Sequence, residues 1–314
     1  MRTKKSFIAL SLFAALSVNA FGQRNVYPQA ADDQLVIQGD KCGWDAGTVH
    51  TFSVVEANKD GYKYWGYYGL DHYENDVHLR KAGLVRSNNL LDWVKYEGNP
   101  IIASNCRWPT VVMSNGKFYM FYAEYKGPNK DSRIVMTESD NGIDFDNKRV
   151  VVPYADGQQN QNPFIYFNKN DGFYYLFYYN GTEQAKSNQY WSVMVKKSKN
   201  VADLPTQKAY TVVSSNKTLA APSVAYYNNT YYLLVEEFSD DTHTKWVTNA
   251  FASKDVDKGY KRVTNNPVLY KNDACAFQYV LDNHLYVTYS HCIDLSKGQH
   301  WSLTSTALGE SKNL

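Results

Sequence analysis

The stretch Asn162–Thr182, NPFIYFNKNDGFYYLFYYNGT, holds two aromatic runs joined by a polar Asn-Asp-Gly turn. Tyr, Phe and Ile favour strands because flat or branched side chains pack well on a pleated surface. Asn, Asp and Gly tolerate the positive φ that a tight hairpin demands. The segment therefore reads as a β-hairpin. Four further stretches read the same way: Thr51–Leu70, Trp108–Lys126, Ala221–Ser239 and Ala274–Ile293. Their equivalent positions Tyr67, Tyr122, Tyr178, Val235 and Tyr289 lie 55, 56, 57 and 54 residues apart.

Each of the first four hairpins is followed by a more polar third strand, such as Lys81–Ser87, Arg133–Ser139, Tyr190–Ser198 or Trp246–Ser253. Fourth, edge-like segments follow, as in Trp93–Ile102 and Tyr260–Leu269. Four antiparallel strands repeating every 54–57 residues are the arithmetic of a β-propeller blade. The expectation is an all-β, five-bladed propeller forming one domain over residues 23–314. A β-sandwich also has many short strands but predicts no repeat this regular.

Composition agrees with that class. The 314 residues include 27 Tyr, 14 Phe and 7 Trp, and charged residues make up 20% of the chain. A net charge of +2 disfavours nucleic acid as a partner, since phosphate binding needs a surplus of Lys and Arg. Residues 1–22 read as a signal peptide: Arg2, Lys4 and Lys5 precede the apolar run Phe7–Val18, and Val18-Asn19-Ala20 offers a cleavage site. With no cysteine at that site to carry a lipid, the mature chain is expected in the periplasm or secreted, monomeric and off the membrane. Export permits disulfides, and Cys42, Cys106, Cys275 and Cys292 form an even set. Cys275 and Cys292 stand at the ends of one hairpin, and Cys42 and Cys106 precede adjacent inner strands. The expected pairs are Cys275–Cys292 and Cys42–Cys106.

With these motifs in order, the chain resembles the five-bladed propeller glycosidases, the superfamily of glycoside hydrolase families 43 and 32. The carrying residues are Gly43-Trp44-Asp45-Ala46-Gly47, the blade ending Ser87–Ile102, and the x-Pro strand starts at Trp108-Pro109, Asn162-Pro163 and Ala221-Pro222. The resemblance implies carboxylic acids at the channel mouth, near the inner-strand starts of the first, third and fourth blades. Asp45 stands just ahead of the first. The third and fourth positions offer Asn162 and Ala221, so the standard triad does not map.

Other acids stand where blade geometry asks for them. Glu236 and Glu237 close the second strand of blade four after an apolar run, and alternation lets only one face the channel. Apolar neighbours raise a carboxyl's pKa, as a general acid requires. Glu124 ends the second strand of blade two, and Asp273 opens the inner strand of blade five. Expected catalytic residues are thus Asp45, Glu236, Glu237 and Glu124. Expected substrate contacts are Arg107, Trp108, His50, Asn162, Asp273, His291 and Trp44. Arg107 suits a carboxylated sugar or orients a catalytic carboxylate, and His50 and His291 suit hydroxyls or a central cation. Trp44, Trp108 and Trp191 offer faces to sugar CH groups or to the core. Residues 71–81 form a polar insertion containing His72 and His78, placed at the rim.

The reading is an exported glycoside hydrolase on a poly- or oligosaccharide, with an arabinose-type furanoside favoured by the resemblance. No cofactor is required, although a channel cation such as calcium is compatible. Rival readings are a non-catalytic glycan-binding propeller, and a lyase or phosphorylase on the same fold.

Overall fold

The computed structural model describes residues 26–308 except 29, 40–43, 46, 75–76, 128–130, 183–190, 216–218, 239–245, 270–272 and 295–299. For 30–35, 72–74, 77, 182, 238, 246, 273, 291–294 and 300–308 the backbone alone is described. The signal peptide, Cys42 and the side chains of His72, Asp273, His291 and Cys292 therefore lie outside the described residues.

The chain is an all-β propeller with four-stranded antiparallel blades, and the described residues form five such sheets. The inner strands are β2 (Thr48–Lys59), β6 (Arg107–Ser114), β10 (Gln158–Asn168), β14 (Leu219–Tyr227) and β18 (Asp273–Leu281). Second strands return as β3 (Tyr62–Glu74), β7 (Lys117–Tyr125), β11 (Phe173–Thr182), β15 (Thr230–Phe238) and β19 (His284–Asp294). Third strands are β4 (Val77–Ser87), β8 (Ser132–Ser139), β12 (Trp191–Ser198), β16 (Trp246–Ser253) and β20 (His300–Leu308). Outer strands are β5 (Val94–Lys95), β9 (Asp146–Val152), β13 (Tyr210–Ser215), β17 (Lys261–Arg262) and β1 (Ala30–Gln38). The last was missing from the sequence reading. Strand β1 pairs with β20, so the two chain ends complete one blade. No helix among the described residues is long and apolar enough to cross a membrane.

The aromatic excess follows from blade stacking. A second strand lies between two neighbouring blades, so both of its faces must be apolar. In β11, Tyr174, Leu176 and Tyr178 pack toward blade two, while Tyr175, Phe177 and Tyr179 pack toward blade four. Hydroxyls join the inner strands near the axis. Ser53 bonds the Val111 backbone, Thr110 accepts from Ile165 N–H, and Ser223 donates to the Ala276 carbonyl.

Every inner strand also carries a bulge at the same height. Thr51, Trp108, Asn162, Ala221 and Cys275 have φ of 49°, 54°, 47°, 45° and 53°, the left-handed region that non-glycine residues rarely enter. Each sits in a register shift, where the inner strand gains residues against its partner. Just beyond the bulges, Phe164 and Phe277 meet edge-to-face with ring centres 5.2 Å apart. On the hairpin-turn side of this pair lies a cavity of about 940 Å³, lined by residues such as Val55, Val112, Tyr166, Tyr226 and Tyr279.

Neither expected disulfide is seen among the described residues, which leave out Cys42 and the side chain of Cys292. Cys106 and Cys275 are free thiols. Cys106 is fully buried among Val111, Met120 and Tyr122 between blades one and two. The bulge aims Cys275 sideways, onto Trp108, Ala123 and Tyr125 of blade two. Position along the chain suggested these pairs, but the bulge sets the direction of the thiol.

Two outcomes follow. Iodoacetamide added to the denatured, unreduced protein is expected to label Cys106 and Cys275 in full, which peptide mass mapping reads; a link to either residue contradicts the packing. Phe277→Ala removes half of the axial ring pair and is expected to cost about 3–5 kcal/mol in urea unfolding, the range for a buried Phe.

Candidate active site

The bulges decide what faces the mouth. Immediately before them stand His50, Arg107, Gln161, Ala220 and Ala274. Antiparallel pairing lays second-strand ends opposite: Gly69 against His50, Ala123 against Arg107, Tyr179 against Gln161, Glu236 against Ala220. The pairing of β3 with β4 continues through Asp71↔Arg80 and Glu74↔Val77, so the polar insertion is a hairpin extension of blade one.

Asp71 comes from that extension. Its carboxylate takes Arg107 Nη2 at 2.5 Å, His50 Nε2 at 3.4 Å and His78 Nε2 at 3.6 Å. Burial by itself raises a carboxyl's pKa; here Arg107, then His50 and His78, overcome it and hold Asp71 well below the usual range. Arg107 donates its other terminal nitrogen to the Tyr125 hydroxyl at 2.8 Å and lies 4.0 Å over the Trp108 ring. Arg80 stacks on Tyr125 at 4.1 Å and reaches His78 Nδ1 at 2.9 Å. Because guanidinium only donates, that His78 nitrogen accepts, which places the proton on Nε2, facing Asp71. His50 has room because Gly69 lies opposite; a Cβ there would fall 2.3 Å from the imidazole.

Glu236 is the opposite case. It is buried, it lies across from the small Ala220, and its carboxyl accepts the Cys275 backbone N–H. Burial outweighs this hydrogen bond and pushes its pKa up to about 7. An acid whose folded pKa is raised binds its proton more tightly in the native state. Stability is therefore greatest below the unfolded value of 4.5, falls as pH rises toward 7, and then levels, a penalty of about 3 kcal/mol at 1.36 kcal/mol per unit. Asp71 works the other way: its contribution is full above about pH 4 and is lost only as pH falls through its depressed folded pKa.

Tyr179 and Cys275 tie these groups together. Burial raises both, and each also feels the charges of Glu236 and Arg107. Trp108 hydrogen-bonds the Cys275 thiol. Residues from all five sheets thus converge at one mouth, with one carboxyl held ionised and one that keeps its proton until the pH approaches about 7.

Several expected residues lie elsewhere. Asp45 is fully buried and meets Lys95 Nζ of outer strand β5 at 2.7 Å, on the flank of blade one with Trp44, which packs on Tyr68. Glu124 is clamped by Arg133 at 2.6 Å and Lys148 at 2.7 Å within blade two. Glu237 points to the other face of β15, where Asn249 and Arg262 bind it. His50, Arg107 and Trp108 join the constellation, and Asn162 occupies the blade-three bulge. Asp273 and His291 are register partners in blade five. The sequence reading missed Asp71, Arg80, Tyr125, Gln161 and Tyr179, and placed His78 only at the rim. Their one signal was the polar insertion of residues 71–81. Among the described residues no group of three or more His, Cys, Asp or Glu is placed to hold a metal ion, and Asp71 is ion-paired with Arg107.

No protein-family model and no curated protein sequence matches the chain. Solved structures do. A thermostable family-43 glycoside hydrolase superposes with a TM-score of 0.65 at 15% identity, over 93% of this chain and 94% of the other. The endo-arabinase from Bacteroides thetaiotaomicron VPI-5482 gives 0.62 at 15% identity, over 89% and 99%. An N-acetylgalactosamine deacetylase from F. plautii, in complex with blood group B trisaccharide, gives 0.66 at 15% identity, over 89% and 95%. At such identities the likeness is one of architecture: this chain has the propeller fold that these carbohydrate-active proteins share.

Proposed function

We propose that the five sheets form a five-bladed ring and that the chain is an exported glycoside hydrolase acting at the Asp71–Glu236 mouth. One observation carries the reading: two carboxyls from different blades share a mouth and are driven to opposite protonation states. Glycoside hydrolysis needs that division, a proton donor for the leaving oxygen and an anion for the developing oxocarbenium. Glu236 is the donor. Asp71 is too weakly basic to strip a proton well, so it serves as the nucleophile or electrostatic stabiliser. Arg107, His50 and His78 hold it in place and ionised. Asp45, Glu124 and Glu237 have structural work in their ion pairs and are assigned no chemistry.

The substrate is a poly- or oligosaccharide, with an arabinose-type furanoside first by resemblance, and no cofactor enters the step. The mature protein acts as a monomer in the periplasm or outside the cell. A glycan-binding propeller without catalysis is the rival, supported by Asn162 and Ala221 at the third- and fourth-blade positions where the resemblance implies acids. A uronate lyase has less support, because the charge of Arg107 is already paired with Asp71.

Reducing-end assays on arabinan, xylan, galactan and polygalacturonate test the reading. Turnover of a neutral glycan is expected, falling about 10²–10⁴-fold in Glu236→Gln and in Asp71→Asn. Binding without turnover, unchanged in both variants, contradicts it. The rate should fall as pH rises through about 7, where Glu236 gives up its proton. Thermal melts of Glu236→Gln should lose the decline in stability that the parent shows between about pH 4.5 and 7.

A further inference from the structure

Blade three presents an amide ladder, Gln158-Gln159-Asn160-Gln161-Asn162, where an acid was expected. Alternation divides it between two faces. On one, Asn180 Nδ2 donates to Gln158 Oε1 at 3.0 Å and to Asn160 Oδ1 at 2.7 Å. On the other, the Tyr179 hydroxyl donates to Gln161 Oε1 at 2.5 Å and lies 3.2 Å from Gln159 Oε1. Tyr179 is itself stacked on Trp191, with centres 5.2 Å apart. Gln161 is 3% exposed, yet its NH2 has no acceptor among the described residues. Asn162, equally buried, also leaves its amide without a partner among them. Trp191 Nε1 is sealed from solvent and unpartnered. The Gln161 and Asn162 amides are not among the sealed, unpartnered side-chain atoms, so their NH2 groups stay open beside the Glu236 mouth, where a ligand oxygen can replace water as acceptor.

Resting on the function proposed above, we infer that Gln161 is a specificity-determining residue whose NH2 donates to a ring hydroxyl of the bound sugar. Tyr179 holds its carbonyl oxygen, which fixes which end of the amide faces the ligand. The ionised Asp71 nearby disfavours a substrate carboxylate and already pairs with the charge of Arg107. The site therefore selects an uncharged ring by its hydroxyl pattern. Asn162, on the left-handed bulge, offers the second amide of the same subsite.

Calorimetric titration with arabinotriose, xylotriose, galactotriose and trigalacturonate tests this in the parent, Gln161→Ala and Gln161→Glu. The parent is expected to bind at least one neutral trisaccharide and to reject trigalacturonate. Gln161→Glu keeps the side-chain length and the acceptor for Tyr179 but removes the NH2 donor. It should lose affinity as Gln161→Ala does, about tenfold, and should narrow the preference among the neutral sugars. If Gln161→Glu binds like the parent, Gln161 only supports Tyr179 and the inference falls while the functional reading stands. If trigalacturonate binds best, the inference falls too. If the parent binds none of the four, the functional reading fails and takes this inference with it.

Discussion

Five left-handed residues set the geometry on which the site depends. At Thr51, Trp108, Asn162, Ala221 and Cys275 the inner strand gains residues against its partner, and the alternation of side chains shifts. Before the shift, His50, Arg107 and Gln161 turn toward the mouth. After it, Ser53, Thr110 and Ser223 stitch neighbouring blades, and Phe164 and Phe277 close the axis. Such a backbone costs of order 1–3 kcal/mol for a non-glycine residue, and a ring of them persists only because the sheets on both sides fix it.

Electrostatics then divides the labour at the mouth. Arg107 lies against Asp71, so that carboxyl stays charged although it is buried. Glu236 receives a single backbone N–H, too little to offset its desolvation, and stays neutral until about pH 7. Both acids stand on second strands: Glu236 faces Ala220 and Asp71 faces Thr48, which leaves the inner strands without a mouth carboxylate in these blades. The two mouth carboxyls thus stand one strand outward of the inner-strand positions that the resemblance implies, and the blade-three position holds amides.

The repeat was legible because it is written in the second strands, whose two apolar faces leave long aromatic runs in every blade. Strand β1 was not, since its partner β20 lies at the far end of the chain. Alternation and apolar neighbours pointed to one of Glu236 and Glu237 without choosing between them; the structure sets Glu236 opposite Ala220 and turns Glu237 to the other face, against Asn249 and Arg262. Asp45 misled because closeness in sequence to the first strand is not closeness to the mouth; the chain there runs along the outer edge, against Lys95. Asp71 was hidden in a segment that looked like rim, because only the extended pairing of β3 with β4 carries it inward. The direction of Cys275 was hidden for the same kind of reason: a bulge turns it onto blade two, and bulges leave no mark in hydrophobic periodicity.

The central claim is that two carboxyls in one mouth are held in opposite states. Carbon-detected NMR of the side-chain carboxyls across a pH titration measures this directly. The expected result is one resonance with a midpoint near 7 that disappears in Glu236→Gln, and one that stays ionised below the ordinary Asp range and disappears in Asp71→Asn. If both carboxyls instead titrate at their ordinary values, about 4, the division of roles is contradicted.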